Sequence, residues 1–549
     1  MLAFWGIIIL FKSIHNLFHR MGPYVLKYLD FPLSRRLRAE FFLPPTGRYH
    51  HSTPKSLLGF TFNIPARIET IIISLFFIQN ILLAFVGIET IENSVFYDSM
   101  SDQYADSIGY RAGVICMAEL VLLIVFAGRN NLLIYITGWE MNTFNVFHKW
   151  VARMTAMQAV IHSIGYTIEY VQEDYYTEYF SGEPGTAWFI WGVVATILMC
   201  ALITHSVHFF RSINYELFLY GHITLTAVAI AGVWLHVIGM EGMNYTYAAI
   251  AIWAFDHVAR IVRLLWSGVT SKASMKLHGE HILEIKIDYS KRWKFYPGCH
   301  VYLHILRTNR FWQSHPFTVV TSPRPDDQGK LVIFARVKKG LTKHTANYLK
   351  DKPDQSAQVR VLVEGPYGGR HPLHHYETVV LIAGGVGITS IYPYAAQLRE
   401  NKDKAQRMVF IWVIRNEQPL SWFQDQLRHI SEDPRIEVIL FITGSNALVS
   451  NEGSATSSTT NLDKSPLESE ASSQTEKKSP LVSSSVFDIR AGTPDLRSRV
   501  AHDISEAAGT VAFLVCGPNR MNDDVRMGIV DNIADSKHRV DYFEDSFSW

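Results

Sequence analysis

"HKWVARMTAMQAVIH", residues 148–162, is a mostly apolar stretch with a histidine at each end and thirteen residues between them. "HITLTAVAIAGVWLH", residues 222–236, repeats the spacing in a still more apolar run. Fourteen residues rise about 21 Å along a helix and bring the second side chain back to within about 40° of the first. Each segment therefore shows two imidazoles on one face, one near each membrane leaflet. If both helices run the same way, His148 and His222 share one level, and His162 and His236 the other. A lone intramembrane histidine is more often a satisfied polar residue than a ligand. Polar groups in lipid are costly, however, and four in two matched spacings are hard to explain by packing. Histidines 21 Å apart cannot bind one zinc ion. Two stacked haems suit the pattern, each iron taking one imidazole from each helix. His205 and His208 compete as ligands but lack a partner pattern.

The rest of the chain frames these helices. At 549 residues it is too long for one ordinary domain. Its 48% hydrophobic content and net charge of +1 hide a division. Residues 1–270 carry repeated apolar runs, whereas residues 271–549 read as soluble α/β sequence. Membrane helices are expected near 1–19, 68–88, 111–136, 147–168, 187–210, 217–238 and 246–266, each near the roughly 20 residues a crossing needs. The segment between the first two holds Arg20, Lys27, Arg35, Arg36, Arg38, Arg48, Lys55 and Arg67, which assigns it to the cytosol. Loops 89–110 and 169–186 carry acidic charges, from Glu89 to Asp106 and from Glu169 to Glu183, and belong outside. Seven crossings with the N-terminus outside then put the soluble half in the cytosol. No basic stripe interleaved with aromatics points to nucleic acid, and Cys116, Cys200, Cys299 and Cys516 form no CxxC pair.

In the soluble half, "HILEIKID", "HVYLHIL", "PFTVVTS", "LVIFARV" and "VRVLVEG" predict an antiparallel barrel over 271–372. "TVVLIAGG", "MVFIWVIR", "IEVILFIT" and "TVAFLVCG" predict a doubly wound parallel sheet over 373–549. Residues 445–490, rich in Ser, Thr, Glu and Lys, read as a disordered insertion. Gly340, Leu341 and Thr342 lie at a turn and helix start whose N–H groups can hold a pyrophosphate; an ordinary capped helix reads equally well. "GGVGIT", residues 384–389, follows a strand and opens a helix, a phosphate-binding arrangement short of a full GxGxxG. Arg415 ends the next strand, where a 2′-phosphate would sit in this topology, or it is a solvated arginine. "CGP", residues 516–518, ends the last predicted strand at the ligand-binding edge. The terminal Trp549 can stack on a flavin ring or belong to a frayed end.

The doubled H-x13-H, then HPFT at 315–318, GGVGIT, CGP and a closing SFSW, in that order, resemble the fungal ferric-chelate reductases, within the larger family that includes the NADPH oxidases. The resemblance implies a multi-pass helical haem domain followed by a module like ferredoxin-NADP reductases, with an FAD barrel and an NADPH domain. It makes His148 and His222 the ligands of an inner haem b, and His162 and His236 those of an outer one. His315, Pro316, Phe317 and Thr318 would contact FAD, with the Thr318 hydroxyl near its N5. Gly384, Gly385, Gly387 and Thr389 would line the NADPH pyrophosphate. Cys516 and Gly517 would lie near the nicotinamide, and Trp549 would cover the flavin until nicotinamide displaces it. The implied activity moves electrons from cytosolic NADPH through FAD and two haems to a ferric chelate, or cupric ion, outside the plasma membrane. An iron-uptake permease or oxidase is the partner class it leaves room for, beside membrane lipid. The rival readings are a superoxide-generating NADPH oxidase and a membrane transporter with a nucleotide-sensing domain.

Overall fold

The computed structural model describes residues 1–22, 25, 28–47, 51–53, 55–57, 60–62, 64–92, 94–97, 99–172, 186–268, 270–288, 294–307, 310–401, 406–444 and 487–545. Seven long helices come first: α1 (Leu2–Met21), α2 (Arg67–Phe85), α3 (Met100–Ala127), α4 (Met141–Gln172), α5 (Ala187–His205), α6 (Tyr215–His236) and α7 (Met243–Ser267). By length and composition α1, α2, α3, α5 and α6 are apolar enough to cross a membrane. α4 and α7 are more polar. α4 buries Thr155 and Gln158, and α7 carries Asp256, Arg260 and Arg263 where it approaches the soluble half.

Two helix bounds differ from expectation. The helix expected at 111–136 begins at Met100, because the Ser99 hydroxyl accepts from the Asp102 N–H and caps it. It stops at Ala127, where Gly128 is extended and Asn131 caps a separate short helix, Leu132–Thr137. The helix expected to reach 210 ends at His205, ahead of a short helix His208–Ile213. α1 touches both the bundle and the soluble half. Its Trp5 packs against Phe126 and Phe147, near the ends of α3 and α4 that face the soluble half. Its last turns meet that half, with His19 Nε2 3.3 Å from the Arg539 guanidinium.

The barrel contains β1 (Ser271–His278), β2 (Ile282–Asp288), β3 (His300–Ile305), β4 (His315–Thr318), β5 (Lys330–Arg336) and β6 (Ser356–Tyr367). Their order is β4-β3-β6-β1-β2-β5, all antiparallel. A bridge in which Val320 N–H donates to the Val332 carbonyl joins the two edges. Alternate residues such as Met275, Leu277, Leu283, Ile285, Val301 and Leu303 fill the interior, the period of two expected of strands with one buried face. β1 is a strand the sequence reading missed.

The second sheet is wholly parallel. It contains β7 (Thr378–Gly384), β8 (Arg407–Ile414), β9 (Ile436–Ile442), β10 (Asp488–Ala491), β11 (Val511–Cys516) and β12 (Val540–Glu544), in the order β10-β9-β8-β7-β11-β12. Leu381 and Phe410 pack on one face of the sheet, Val380 and Ile411 on the other. β10 corrects the insertion boundary. Residues 488–490 pair with β9 rather than belonging to a disordered stretch, while 445–486 lie outside the described residues.

The segment between α1 and α2 lies on this sheet. Arg38 binds the Asp541 carboxylate at 2.8 Å, Arg35 donates to the Ser536 carbonyl, and the Ser52 hydroxyl donates to Glu544 at 2.9 Å. The Asp523 carboxylate accepts from the backbone N–H groups of His51, Ser52 and Thr53. The basic residues that set the orientation in sequence thus also fasten the bundle to the nucleotide-type domain.

Candidate functional site

α4 and α6 bring their histidines together in two layers. The His148 and His222 rings are 6.4 Å apart, centre to centre, and the His162 and His236 rings 5.9 Å apart. Two imidazole nitrogens each about 2 Å from one metal put ring centres about 6 Å apart, so both separations suit bis-imidazole ligation. The ring tautomers suit it as well. A carbonyl oxygen can only accept. The Nδ1–H of His148 therefore donates to the Leu123 carbonyl at 3.1 Å, that of His162 to Gly109 at 2.9 Å, and that of His236 to Trp188 at 2.9 Å. His222 Nδ1 pairs with the Ser206 hydroxyl at 3.3 Å. In His148, His162 and His236, with Nδ1–H committed to a carbonyl, Nε2 keeps its lone pair for a metal, the arrangement that fixes a ligating histidine.

Glycines make room for the outer pair. A Cβ at Gly113 would lie 2.7 Å from His162 Nδ1, and one at Gly192 2.6 Å from His236 Nδ1. Neither glycine stood out in the sequence. Their role rests on contacts between residues more than forty positions apart. His205 is spoken for by the Phe218 carbonyl at 3.1 Å and stacks on the Phe218 ring; it joins no pair. The side chain of His208 lies outside the described residues.

The inner pair opens on a cavity of about 3530 Å³ that continues into the barrel, where His300, Thr318, Tyr367 and Arg370 line it. β4 docks at the mouth. His315 Nε2 lies 3.2 Å from the Glu216 carboxylate, six residues before His222 on α6. Burial, with Arg129 and His304 adding to it, lowers the His315 pKa. A neutral ring is thus favoured, and it meets Glu216 as a polar contact rather than as an ion pair. Pro316 and Phe317 lie between His315 and Thr318 on the same edge strand. Beside it, Glu364 is 1% exposed and gathers Arg129 and Arg260, both at 3.3 Å, and the Tyr367 hydroxyl at 2.7 Å. Arg129 also lies over the Tyr302 ring at 3.8 Å. This carboxylate ties the loop after α3, helix α7 and the barrel together. Gly340, at φ 96°, precedes a ten-residue helix, Leu341–Lys350, and Thr342 exchanges hydrogen bonds with the Lys338 backbone.

The two glycine motifs meet at the carboxyl edge of the parallel sheet. Cβ atoms added at Gly384, Gly387 and Gly517 would strike Pro518 Cδ at 2.4 Å, the Cys516 carbonyl at 2.0 Å and Met521 Cε at 2.2 Å. These three glycines permit close packing of one turn on the other. Gly385, exposed at φ 55° with nothing within 4 Å of an added Cβ, is the one open to a phosphate. The Thr389 hydroxyl donates to the Val386 carbonyl at 2.9 Å and holds the turn. The Cys516 thiol is pushed well above its ordinary pKa by burial and then by Asp545, Glu544 and Glu140, so it stays protonated. Arg415 is exposed just past β8. Asp545 is fixed by the Ser390 hydroxyl and by His371 at 3.0 Å; Trp549 lies outside the described residues.

A helical bundle with stacked histidine pairs, continuous with a barrel and a doubly wound sheet, defines a membrane-embedded reductase of the flavoprotein type. Residues 112–233 match the ferric reductase like transmembrane component, 268–371 an FAD-binding domain, and 376–529 the ferric reductase NAD binding domain. The chain is 31% identical to ferric/cupric reductase transmembrane component 1 of Candida albicans, over 100% of this chain and 72% of that protein. It is equally 31% identical to ferric reductase transmembrane component 3 of Saccharomyces cerevisiae, over 100% of this chain and 76% of the relative. It belongs to the family of fungal ferric reductase transmembrane components.

Proposed function

We propose that the protein is a transmembrane ferric-chelate reductase, also acting on cupric ion, that draws electrons from cytosolic NADPH. The observation that carries this is the pair of histidine layers, of which the inner shares one cavity with the barrel. When bound, FAD accepts a two-electron hydride and gives single electrons, which haem iron carries one at a time. His148 and His222 hold the inner haem, and His162 and His236 the outer one. Thr318 and the HPFT strand orient the flavin, and the His315–Glu216 contact keeps that strand against the helix bearing His222. Gly340 and Thr342 offer a helix N-terminus to the flavin pyrophosphate. Gly385 leaves its backbone open to the NADPH phosphates, Thr389 braces that turn, and Arg415 receives the 2′-phosphate. Cys516 and Gly517 seat the nicotinamide, with Trp549 covering the flavin beforehand.

The charge pattern of the loops supports a cytosolic soluble half, with metal reduced on the opposite face of a membrane that we take to be the plasma membrane. Ferrous product at that face suits a permease or oxidase of iron uptake as partner. Purified protein in lipid should reduce a ferric chelate at the rate it consumes NADPH. Superoxide formed at that rate, with no competition by the chelate, would make it an oxidase instead. His148→Ala and His162→Ala should each lose one of two low-spin haem signals in a reduced-minus-oxidised spectrum; absence of any such signal from the parent protein removes the haem reading.

A further inference from the structure

Between the two histidine layers lies a polar group that the electron path does not use. Glu119 on α3 is fully buried, and neither carboxyl oxygen has a hydrogen-bond partner among the described residues. The Asn80 amide on α2 and the Thr155 hydroxyl on α4 face it as donors, though neither closes to hydrogen-bond geometry. Gln158, also fully buried, donates to Asn80 at 3.0 Å and leaves its own oxygen unpartnered. Thr155 is seven residues from His148 and seven from His162, so the node sits at mid-depth between the layers. On α3, Glu119 lies between Gly113, which faces His162, and Leu123, which accepts from His148. The unsatisfied atoms here are all oxygens. An ionised carboxyl this deep in a membrane interior is costly unless positive charge lies near it, as the iron of an oxidised haem in either layer would supply, and loss of that charge raises its affinity for a proton.

No charged side chain of the described residues faces this carboxyl. α2 offers Asn80, α4 offers Thr155 and Gln158, and α3 itself offers Cys116, the one titratable neighbour. The cavity that holds the inner pair reaches Thr155 and not the outer pair, which gives a proton from the soluble-domain side a way to this neighbour.

We infer that Glu119 is a redox-linked proton-binding site: it takes up one proton when an electron enters the bundle and returns it when the electron leaves. The step balances. One electron adds one negative charge between the layers, and one proton from water converts the carboxylate to the neutral acid. The inference rests on the haem reading above.

The test is a redox titration of the haem bands in lipid nanodiscs at pH 6, 7 and 8. In the parent protein a tenfold fall in proton concentration should lower at least one midpoint potential, by about 59 mV at full coupling. In Glu119→Gln that dependence should vanish, and in Glu119→Asp it should persist. Equal slopes in parent and Gln variant overturn the proposal while leaving the haems in place; a parent protein with no haem bands overturns both readings. If the Gln variant fails to assemble, redox-difference infrared spectra of the parent labelled with 13C-glutamate decide. A carboxylic C=O band that grows on reduction and shifts with the label supports the site, and its absence overturns it.

Discussion

Gly113 and Gly192 show how one missing methyl group can serve a cofactor site. Each lies where a Cβ would press on the ring nitrogen that an outer histidine commits to a backbone carbonyl, at 2.7 Å for His162 and 2.6 Å for His236. Contacts this short cannot be absorbed without moving the ring. The carbonyls of Gly109 and Trp188 are fixed within helices, so a displaced ring loses its hydrogen bond as well as its place. Disturbing a partner that orients a metal ligand costs about 10–100-fold in affinity or activity. Gly113→Ala should therefore lose the outer haem signal and keep the inner one, with ferric-chelate reduction down by about that factor. NADPH-driven reduction of a soluble dye by the flavin should be unchanged. Gly6→Ala on α1 is the control, since nothing lies within 4 Å of its added Cβ. If Gly113→Ala retained both haem signals at parental stoichiometry, the cradle would have no such role. His148, His162, His222 and His236 were legible in the sequence because a spacing of fourteen is visible there. The cradle was not, because Gly113 and His162 meet only after α3 and α4 have packed.

At the scale of elements, the joint between bundle and barrel turns on Glu364. Arg129 follows α3, Arg260 belongs to α7, and Tyr367 ends β6, so one buried carboxylate orders three elements. Both guanidiniums are about a quarter exposed, which reduces what each pair contributes. Glu364→Ala should cost about 1–3 kcal/mol, the range for leaving hydrogen-bond partners unsatisfied, since the part-exposed guanidiniums can still reach water. Its functional effect should be larger, because the inner pair and β4 depend on this joint for their separation. Stopped-flow should show haem reduction by NADPH slowed several-fold, while flavin reduction by NADPH keeps its parental rate. Slowing of both steps would mean that the substitution harms the barrel itself. The elements on each side were largely read from the pattern: five of the six barrel strands and four of the six parallel strands follow from apolar runs. The missed strands lack such runs. β1, "SKASMKLH", turns Lys272, Ser274 and Lys276 outward and buries only Ala273, Met275 and Leu277. β12, "VDYFE", carries two carboxylates inside, Asp541 and Glu544, which no local rule favours.

Those two carboxylates explain how the whole molecule is closed. Their arginine partners are Arg38, from far along the chain, and Arg539, just before the strand, for Asp541, and Arg526, from a neighbouring helix, for Glu544 at 2.8 Å. The basic segment before α2 is read from sequence as a topology signal, and only the folded chain shows it as a strap across the parallel sheet. The strap carries a pH signature. Burial acts to raise the pKa of Asp541, yet Arg38 and Arg539 hold it far below the carboxylate range. Burial likewise opposes Arg526 and the Tyr542 hydroxyl at Glu544, which nevertheless falls from an ordinary 4.5 to about 2. A carboxylate with a depressed pKa in the folded state stabilises that state above its unfolded pKa, and the contribution disappears as pH falls through the folded value. For Glu544 the window runs from about pH 4.5 down to about 2, and the stabilisation at stake is roughly 3 kcal/mol. Thermal melts followed by release of flavin fluorescence should show the soluble half losing stability across that window. Glu544→Gln should melt lower at pH 7 and show a flatter profile between pH 4.5 and 2, because its neutral amide has no proton to take up. Arg38→Gln should reproduce part of the loss from the other side of the strap, since it leaves Asp541 with Arg539 and the Tyr376 hydroxyl. Parallel pH profiles for the parent and Glu544→Gln proteins would show that the strap is not what acid undoes.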